Sequence, residues 1–312
     1  MTGADEVGLL LDRAAAWREA GHGLALATVV RAWGSAPRRP GAWLLVRDDG
    51  LFEGSVSGGC VEAEVIAAAR RRIGAGGGEL LEFGVADATA WAAGLACGGR
   101  ISVLVQAIDD SGFPPALFEH IVRERAAGRP AGLVTSLATM QTRAGSDPAD
   151  GEHVQRIDPP QRLILIGAVH IAQMLVPLAG TLGWRTHVVD PRAAFAAGPR
   201  FAGLEIDPRW PDEALADWEP DAATAVVALT HDPKIDDPGL AAALRTPAYY
   251  VGALGSRRTH ASRLVRLAGL GFDAPALARI DGPVGLPIGA AGPAEIAVAI
   301  AAGIIAAWRG RA

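Results

Sequence analysis

Cysteine is scarce in this chain: only Cys60 and Cys97 carry a thiol. They lie too far apart for a CxxC redox pair. No CxxC…CxxC, HExxH or clustered His/Cys spacing occurs, which argues against a structural zinc site. Long apolar runs are also missing. The richest, Ala297–Trp308, is short and alanine-rich and reads as a buried helix rather than a membrane span. A basic stripe is missing too. The net charge is −5, and Arg38-Arg39, Arg70–Arg72 and Arg257-Arg258 are local exceptions. A general nucleic-acid binder needs more than that, and Arg70–Arg72 reads as a solvated helix face. The first residues place Asp5, Glu6, Asp12 and Arg13 among leucines. That is an amphipathic surface helix and not a signal peptide, so a cytoplasmic protein without membrane attachment is expected.

What is present describes a folded protein. The chain has 312 residues, 50% hydrophobic and 20% charged, enough for two domains with their own cores. The polar, Gly-, Pro- and Asp-rich stretch 139–160 has no apolar period and is expected to be a linker between domains 1–138 and 161–312. Before it, helices over 5–20, about 60–73 and 114–127 alternate irregularly with strands at 24–30, 42–47, 51–56, 79–83, 100–108 and 131–137. This is a mixed α+β pattern. The cluster Gly74–Gly78 follows a helix rather than a strand and reads as a C-cap and loop, not a nucleotide loop. After residue 160, strands at 162–166, 185–189, 224–229 and 248–251 alternate with helices at 170–182, after Ser256 and from Pro293. Regular alternation predicts a parallel sheet with right-handed crossovers, a Rossmann-like α/β domain.

Three stretches could carry chemistry. LILIGAVHIAQML (163–175) stands where a dinucleotide fold would place G-x-G-x-x-G/A. Gly167 and Ala172 fit the outer positions. Val169 puts a branched side chain where a pyrophosphate should approach. Asp190 ends the next strand, where an acid could bond a ribose hydroxyl. The scaffold therefore fits, while a scaffold without nucleotide at this loop is the favoured reading. YYVGALGSRRTHASRL (249–264) ends a strand at Gly252, turns at Gly255 and caps a helix with Ser256. Arg257 and Arg258 in the first turn are unfavourable unless something negative offsets them. A capped helix with solvent-facing arginines and a phosphate site are both open.

The third stretch is GSVSGGCVEAEV (54–65). Cys60 follows Gly58 and Gly59 in or near the first turn of a helix, where a thiolate is favoured. The glycines would leave backbone amides open to a ligand. Cys97 precedes Gly98 and Gly99 just before a strand. A buried, inert cysteine is the usual reading. Two of two beside Gly-Gly shifts it toward function: attack on a carbonyl, sulfur carriage, or ligation of a soft metal.

These residues carry a resemblance. GSAPRRPGAWLLVRDDG (34–50), GSVSGGCVEAEVI (54–66) and CGGRISVLVQ (97–106) resemble the N-terminal domain of the xanthine dehydrogenase accessory proteins XdhC and their carbon monoxide dehydrogenase relatives CoxI and CoxF. The second half is similar in LILIGAVHIAQ (163–173), VVDPR (188–192), LTHDPKID (229–236), YVGALGSRR (250–258) and GLPIGAAGPAEIAVAI (285–300). The resemblance implies a molybdenum cofactor chaperone rather than a conventional enzyme. Such a protein binds molybdopterin or its cytosine dinucleotide form transiently. It aids sulfuration with a cysteine desulfurase and delivers the cofactor to the large subunit of a molybdenum hydroxylase of the xanthine or carbon monoxide dehydrogenase type. It places Cys60 and Cys97 at the molybdenum or sulfur end. Ser57, Gly58, Gly59, Gly98, Gly99, Gly167, His170, Asp190, Gly252, Gly255, Ser256 and Arg257 fall on its cofactor-binding motifs. Both thiols are expected to converge on one cleft between the domains. The chain departs from the family pattern at Val169, at Ala294 and at Gly303, where an acidic residue is common. Two alternatives stay open: an NAD(P)-dependent oxidoreductase, which Val169 disfavours, and a partner-binding scaffold without retained cofactor. The apolar C-terminal helix could pack internally or form a homodimer face.

Overall fold

The computed structural model of the protein describes residues 5–36, 38–84, 99–196, 201 and 204–310. It divides into two compact units, Glu6–Pro159 and Pro160–Ala312.

In the first unit, β1 (Leu24–Trp33) is the central strand of a five-stranded antiparallel sheet. Its neighbours are β2 (Trp43–Arg47), flanked by β3 (Phe52–Gly54), and β5 (Arg100–Ala107), flanked by β4 (Gly78–Phe83). Successive strand side chains point to opposite faces, and here both faces are covered. Ala25, Ala27 and Val29 pack with Val65, Ala68 and Ala69 of helix α2 (Glu62–Ala75). Leu24 and Leu26 pack with Leu10, Ala14 and Trp17 of α1 (Glu6–Glu19) and with Leu117 and Ile121 of α3 (Ala116–Ala126).

A three-stranded antiparallel sheet, β7 (Gln141–Ala144), β6 (Ala131–Ser136) and β8 (Glu152–Ile157), completes this unit. It corrects the reading of 139–160 as a linker. β7 fully buries only Thr142 and β8 only Ile157, so neither strand leaves an apolar alternation to read. Side-chain amides fasten the ribbon instead. Trp43 Nε1 donates to Gln155 Oε1 at 3.2 Å, and Gln155 Nε2 donates to the Gly41 carbonyl at 2.9 Å.

The second unit is a six-stranded parallel sheet in the order β11 (Ile206–Asp207), β10 (Arg185–Val189), β9 (Arg162–Ile166), β12 (Thr224–Ala228), β13 (Tyr250–Ala253), β14 (Ile280–Asp281). Counted within the unit this is 3-2-1-4-5-6, the dinucleotide-fold order, whose switch point lies between β9 and β12. Helices α4 (His170–Thr181) and α10 (Pro293–Arg309) cover one face. Helices α6 (Pro211–Trp218), α7 (Pro233–Leu244) and α8 (Arg257–Gly269) cover the other. Two one-turn helices, α5 (Ala193–Ala196) and α9 (Ala274–Leu277), sit in the connections.

α10 buries Ala297, Ile300, Ala301 and Ile304 against α4 and the sheet. Gly303 has a local reason in this chain. A Cβ there would stand 3.1 Å from Gly285 Cα and 3.2 Å from the Tyr250 hydroxyl, which itself donates to Asp281. An acidic side chain at 303 would have to displace that tyrosine and face that aspartate. No helix among the described residues is long and apolar enough to cross a membrane.

Candidate functional site

The Gly-Gly-Cys turn links β3 to α2. Gly54 (φ +89°), Gly58 (φ +80°) and Gly59 (φ +118°) take left-handed backbone that favours glycine. A Cβ on Gly54 would sit 2.4 Å from the Trp43 carbonyl oxygen; on Gly58 or Gly59 it would meet open space. Close packing thus fixes the entry of the turn, while its tip is bare backbone on the surface. Cys60 follows as a free, half-buried thiol beside the α2 face of the sheet.

The interior of the turn is organised by Glu62, which sequence reasoning passed over. It is 7% exposed. Its carboxylate accepts from the Ser55 hydroxyl at 2.7 Å, the Ser57 amide at 2.9 Å, the Gly59 amide at 2.9 Å and the Ser57 hydroxyl. The Ser57 Oγ accepts in turn from the Cys60 amide at 2.9 Å and the Val61 amide at 3.0 Å. Burial would raise the Glu62 carboxyl, but the Ser57 and Ser55 hydroxyls and the Ser57 amide outweigh it and bring it down to about 2. This corrects the expectation of open amides. The Gly58 amide donates to Ser55 Oγ at 2.8 Å and the Gly59 amide to Glu62. Ser57, 1% exposed, holds the turn from inside and is not a surface contact.

Cys97 and Gly98 lie outside the described residues. Gly99 is buried, and a Cβ there would stand 2.9 Å from the Ala36 nitrogen. It therefore packs the start of β5 onto the 34–36 loop.

The remaining predicted residues gather at the C-terminal ends of the second unit's strands. Gly167 (φ +110°) closes β9, and a Cβ on it would strike Thr230 Cγ2 at 2.5 Å. Val169 occupies the N-cap of α4 without a side-chain cap, and His170 is exposed as its first residue. Asp190 is fully buried. Its carboxylate accepts from the Ala168 amide at 2.8 Å, from the Arg192 amide at 3.0 Å and from Arg192 Nε at 2.9 Å and Nη2 at 2.7 Å. Burial would raise this carboxyl; the Arg192 bonds and the Ala168 amide outweigh it and hold it below the usual range. Asp190 is thus committed to the fold, which corrects the ribose expectation.

Gly252 is buried, with Val284 Cγ2 2.5 Å from where its Cβ would stand. Gly255 (φ +143°) makes the turn, and Ser256 caps α8 by accepting from the Thr259 amide at 3.1 Å. Arg257 and Arg258 are exposed in a first turn that contains no acidic residue. This arrangement of N-cap, helix N-terminus and arginines can receive an anion.

Beneath these turns runs a buried polar chain missed by the sequence. Asp236 on α7 and Arg263 on α8 are 1% and 2% exposed, with their charged groups 3.8 Å apart. The Thr230 hydroxyl donates to Asp236 Oδ1 at 2.6 Å, and Arg263 Nη2 donates to the Leu254 carbonyl at 2.9 Å. Burial raises the Asp236 carboxyl and lowers Arg263, each opposed by its partner's charge. The pair ties the ends of β12 and β13 together, and the Thr230 methyl abuts Gly167 of β9. Next to Thr230, exposed His231 holds a left-handed backbone at φ +63°. Among the described residues no group of three His, Cys, Asp or Glu side chains could hold a metal ion.

Known proteins share this architecture. Residues 17–84 match the profile described as the XdhC and CoxI family, and residues 163–304 that of the XdhC Rossmann domain. The molybdenum cofactor insertion chaperone PaoD of Escherichia coli (strain K12) is 32% identical over 270 residues, 85% of this chain and 77% of PaoD. A probable xanthine dehydrogenase subunit of Bacillus subtilis (strain 168) is 30% identical over 318 residues, 90% of this chain and 92% of that protein. A crystal structure described as a xanthine dehydrogenase from Bacillus halodurans superposes with a TM-score of 0.75 at 25% identity, over 97% of this chain and 96% of its own. With matches in both halves and relatives aligned over most of their length, the chain belongs to the XdhC and CoxI family.

Proposed function

We propose that the protein is a molybdenum cofactor chaperone that carries the cofactor to a molybdenum hydroxylase of the xanthine or carbon monoxide dehydrogenase type. The observation that carries this reading is its 32% identity, over most of both chains, to a cofactor insertion chaperone. The cofactor is cargo here: a pterin with a dithiolene-bound molybdenum and a phosphate tail, present as molybdopterin or its cytosine dinucleotide.

The residues present suit such cargo. The tip of the Gly58-Gly59 turn is bare backbone with open space around it, so a bulky ligand can approach to contact distance. Cys60 offers a free soft sulfur beside it, suited to the molybdenum or sulfur end. The internal bonds to Glu62 and Ser57 hold that turn rigid, so the thiol is placed before the cargo arrives. Arg257 and the Ser256-capped start of α8 suit the phosphate. His170, at the start of α4, is a second polar contact at those strand ends. Sulfuration of the cargo with a cysteine desulfurase partner, and a share in it for Cys97, belong to the same proposal.

The test is cofactor content. The protein and Cys60→Ala are purified from a host that makes the cofactor, and bound pterin is oxidised and read by fluorescence. The wild type is expected to retain pterin and Cys60→Ala to lose about tenfold or more, as removal of a metal-ligating sulfur should. Equal pterin in both would remove Cys60 from the site. None in the wild type, even after loading in vitro, would remove the chaperone reading.

A further inference from the structure

The antiparallel register of β1 on β5 slips by one residue. Val29 faces Val103, then Arg31 faces Ser102, so Val30 is the extra residue of a bulge. A bulge re-aims the side chains beyond it. Here it turns Trp33, opposite Arg100, onto the sheet face that carries Ser102. Glu82 of β4 stands opposite Ser102 on the other side of β5. Trp33, Glu82, Gly84, Arg100 and Ser102 all line one pocket of about 250 Å³ at this end of the sheet.

Three features make the pocket chemically specific. Ser102 is 1% exposed, yet its hydroxyl has no hydrogen-bond partner among the described residues. Buried polar groups are normally satisfied, and Ser102 lines the pocket. Glu82 and Arg100 are exposed charges of opposite sign that form no ion pair among the described residues. A Cβ on Gly84 would meet Arg100 Cγ at 2.9 Å, so glycine there lets the arginine stem lie across the strand end. Trp33 is 50% exposed beside them, a large indole face that the fold leaves uncovered.

We infer that this pocket binds the 2-amino-4-oxopyrimidine ring shared by pterins and guanine, stacked on Trp33. That ring presents two adjacent N–H donors, from N3 and the 2-amino group, with a carbonyl oxygen beside them. The Glu82 carboxylate accepts the two donors side by side, as carboxylates accept paired N–H groups. Arg100 donates to the carbonyl oxygen. The Ser102 hydroxyl gains its missing partner on the same edge. Cytosine lacks the paired donors and would leave Glu82 unmatched. The volume is below the 300–1,000 Å³ typical of drug-sized pockets and suits one bicyclic ring. The inference rests on the chaperone reading only in naming a pterin as the natural source.

The test is calorimetric titration of the full-length protein with neopterin, GMP and CMP, on wild type, Trp33→Ala, Trp33→Phe, Glu82→Gln and Ser102→Ala. Neopterin or GMP is expected to bind about tenfold or more tightly than CMP. Tighter neopterin assigns the site to a pterin, tighter GMP to a guanine nucleotide. Glu82→Gln and Trp33→Ala should each weaken ring binding about tenfold, Ser102→Ala a few-fold, and Trp33→Phe should restore most of the loss. Glu82 and Trp33 are surface positions, and far-UV circular dichroism confirms that their variants fold. Failure of both rings to bind, binding equal to CMP, or unchanged binding in Glu82→Gln and Trp33→Ala would overturn the inference. Retained pterin is assayed in parallel. Where neopterin is the tighter ligand, undiminished pterin in both variants would overturn the pocket and leave the chaperone reading. Ring binding without any retained pterin in the wild type would do the reverse.

Discussion

Glu62→Gln should cost about 2–3 kcal/mol of stability, and it should make the protein's acid sensitivity shallower. The amide presents N–H donors toward groups that themselves donate: the Gly59 amide and the Ser57 hydroxyl. It therefore leaves buried donors facing one another at the root of the cysteine turn. The pH sign follows from the carboxyl's depressed value of about 2 in the fold. Between that value and the ordinary carboxylate range near 4.3, the unfolded chain binds a proton that the folded chain does not. The stabilisation is fully present above about pH 5 and is lost as pH falls toward 2, amounting to roughly 3 kcal/mol. Urea unfolding at a series of pH values reads it. Wild type should show a falling acid limb that is shallower in Glu62→Gln. Parallel limbs would show that Glu62 carries no such charge. The consequence for function is positional: a loosened turn no longer holds Cys60 in one place.

Arg263→Met should be the more damaging of the two changes, by about 3–5 kcal/mol, because it leaves the Asp236 carboxylate buried without its cation. The Thr230 hydroxyl and amide remain as its partners, and they do not neutralise it. The double variant Asp236→Leu/Arg263→Met should recover most of the loss, since removing both charges also removes both desolvation penalties. A double-mutant cycle on urea midpoints gives the coupling. A double variant as unstable as the sum of the singles would contradict the pair's role. Because Asp236, Thr230 and Leu254 join the ends of β12 and β13, the single variant should also disturb the neighbouring turns at His231 and Ser256.

Much of the second unit could be read from residues alone, and the reasons are local. Ser256 and Pro293 are start signals of a kind that fixes helix boundaries, and α8 and α10 begin just after or at them. Strand β9 is a short apolar run buried in a parallel sheet and β10 ends in a buried Val188-Val189 pair, and their limits fall at 162–166 and 185–189 as expected. α7 escaped because it carries Pro233, Pro238 and Gly239 and turns Asp236 and Asp237 inward. Those two carboxylates break the apolar stripe of Ile235, Leu240, Ala241 and Leu244 that packs into the core. β1 runs three residues past the expected Val30 because the bulge there breaks the alternation that marks a strand. At the candidate site the sequence places Cys60 on a glycine turn just before a helix, and the structure has it there. The sequence could not show that Glu62 and Ser57 consume the turn's amides, or that Asp190 is tied to Arg192. Hydrogen-bond partners depend on how side chains fold back over two to five residues, and spacing alone does not fix that.

The central claim is that this chain hands over the cofactor and does not merely share ancestry with proteins that do. The direct measurement is transfer. Protein loaded with molybdenum cofactor is mixed with a cofactor-free molybdenum hydroxylase, and the enzyme's activity is followed against the same amount of free cofactor. Faster and more complete activation by the loaded protein, reduced when Cys60→Ala is loaded in its place, is the predicted result. Activation no better than with free cofactor, from a protein that retains its pterin, would contradict the account.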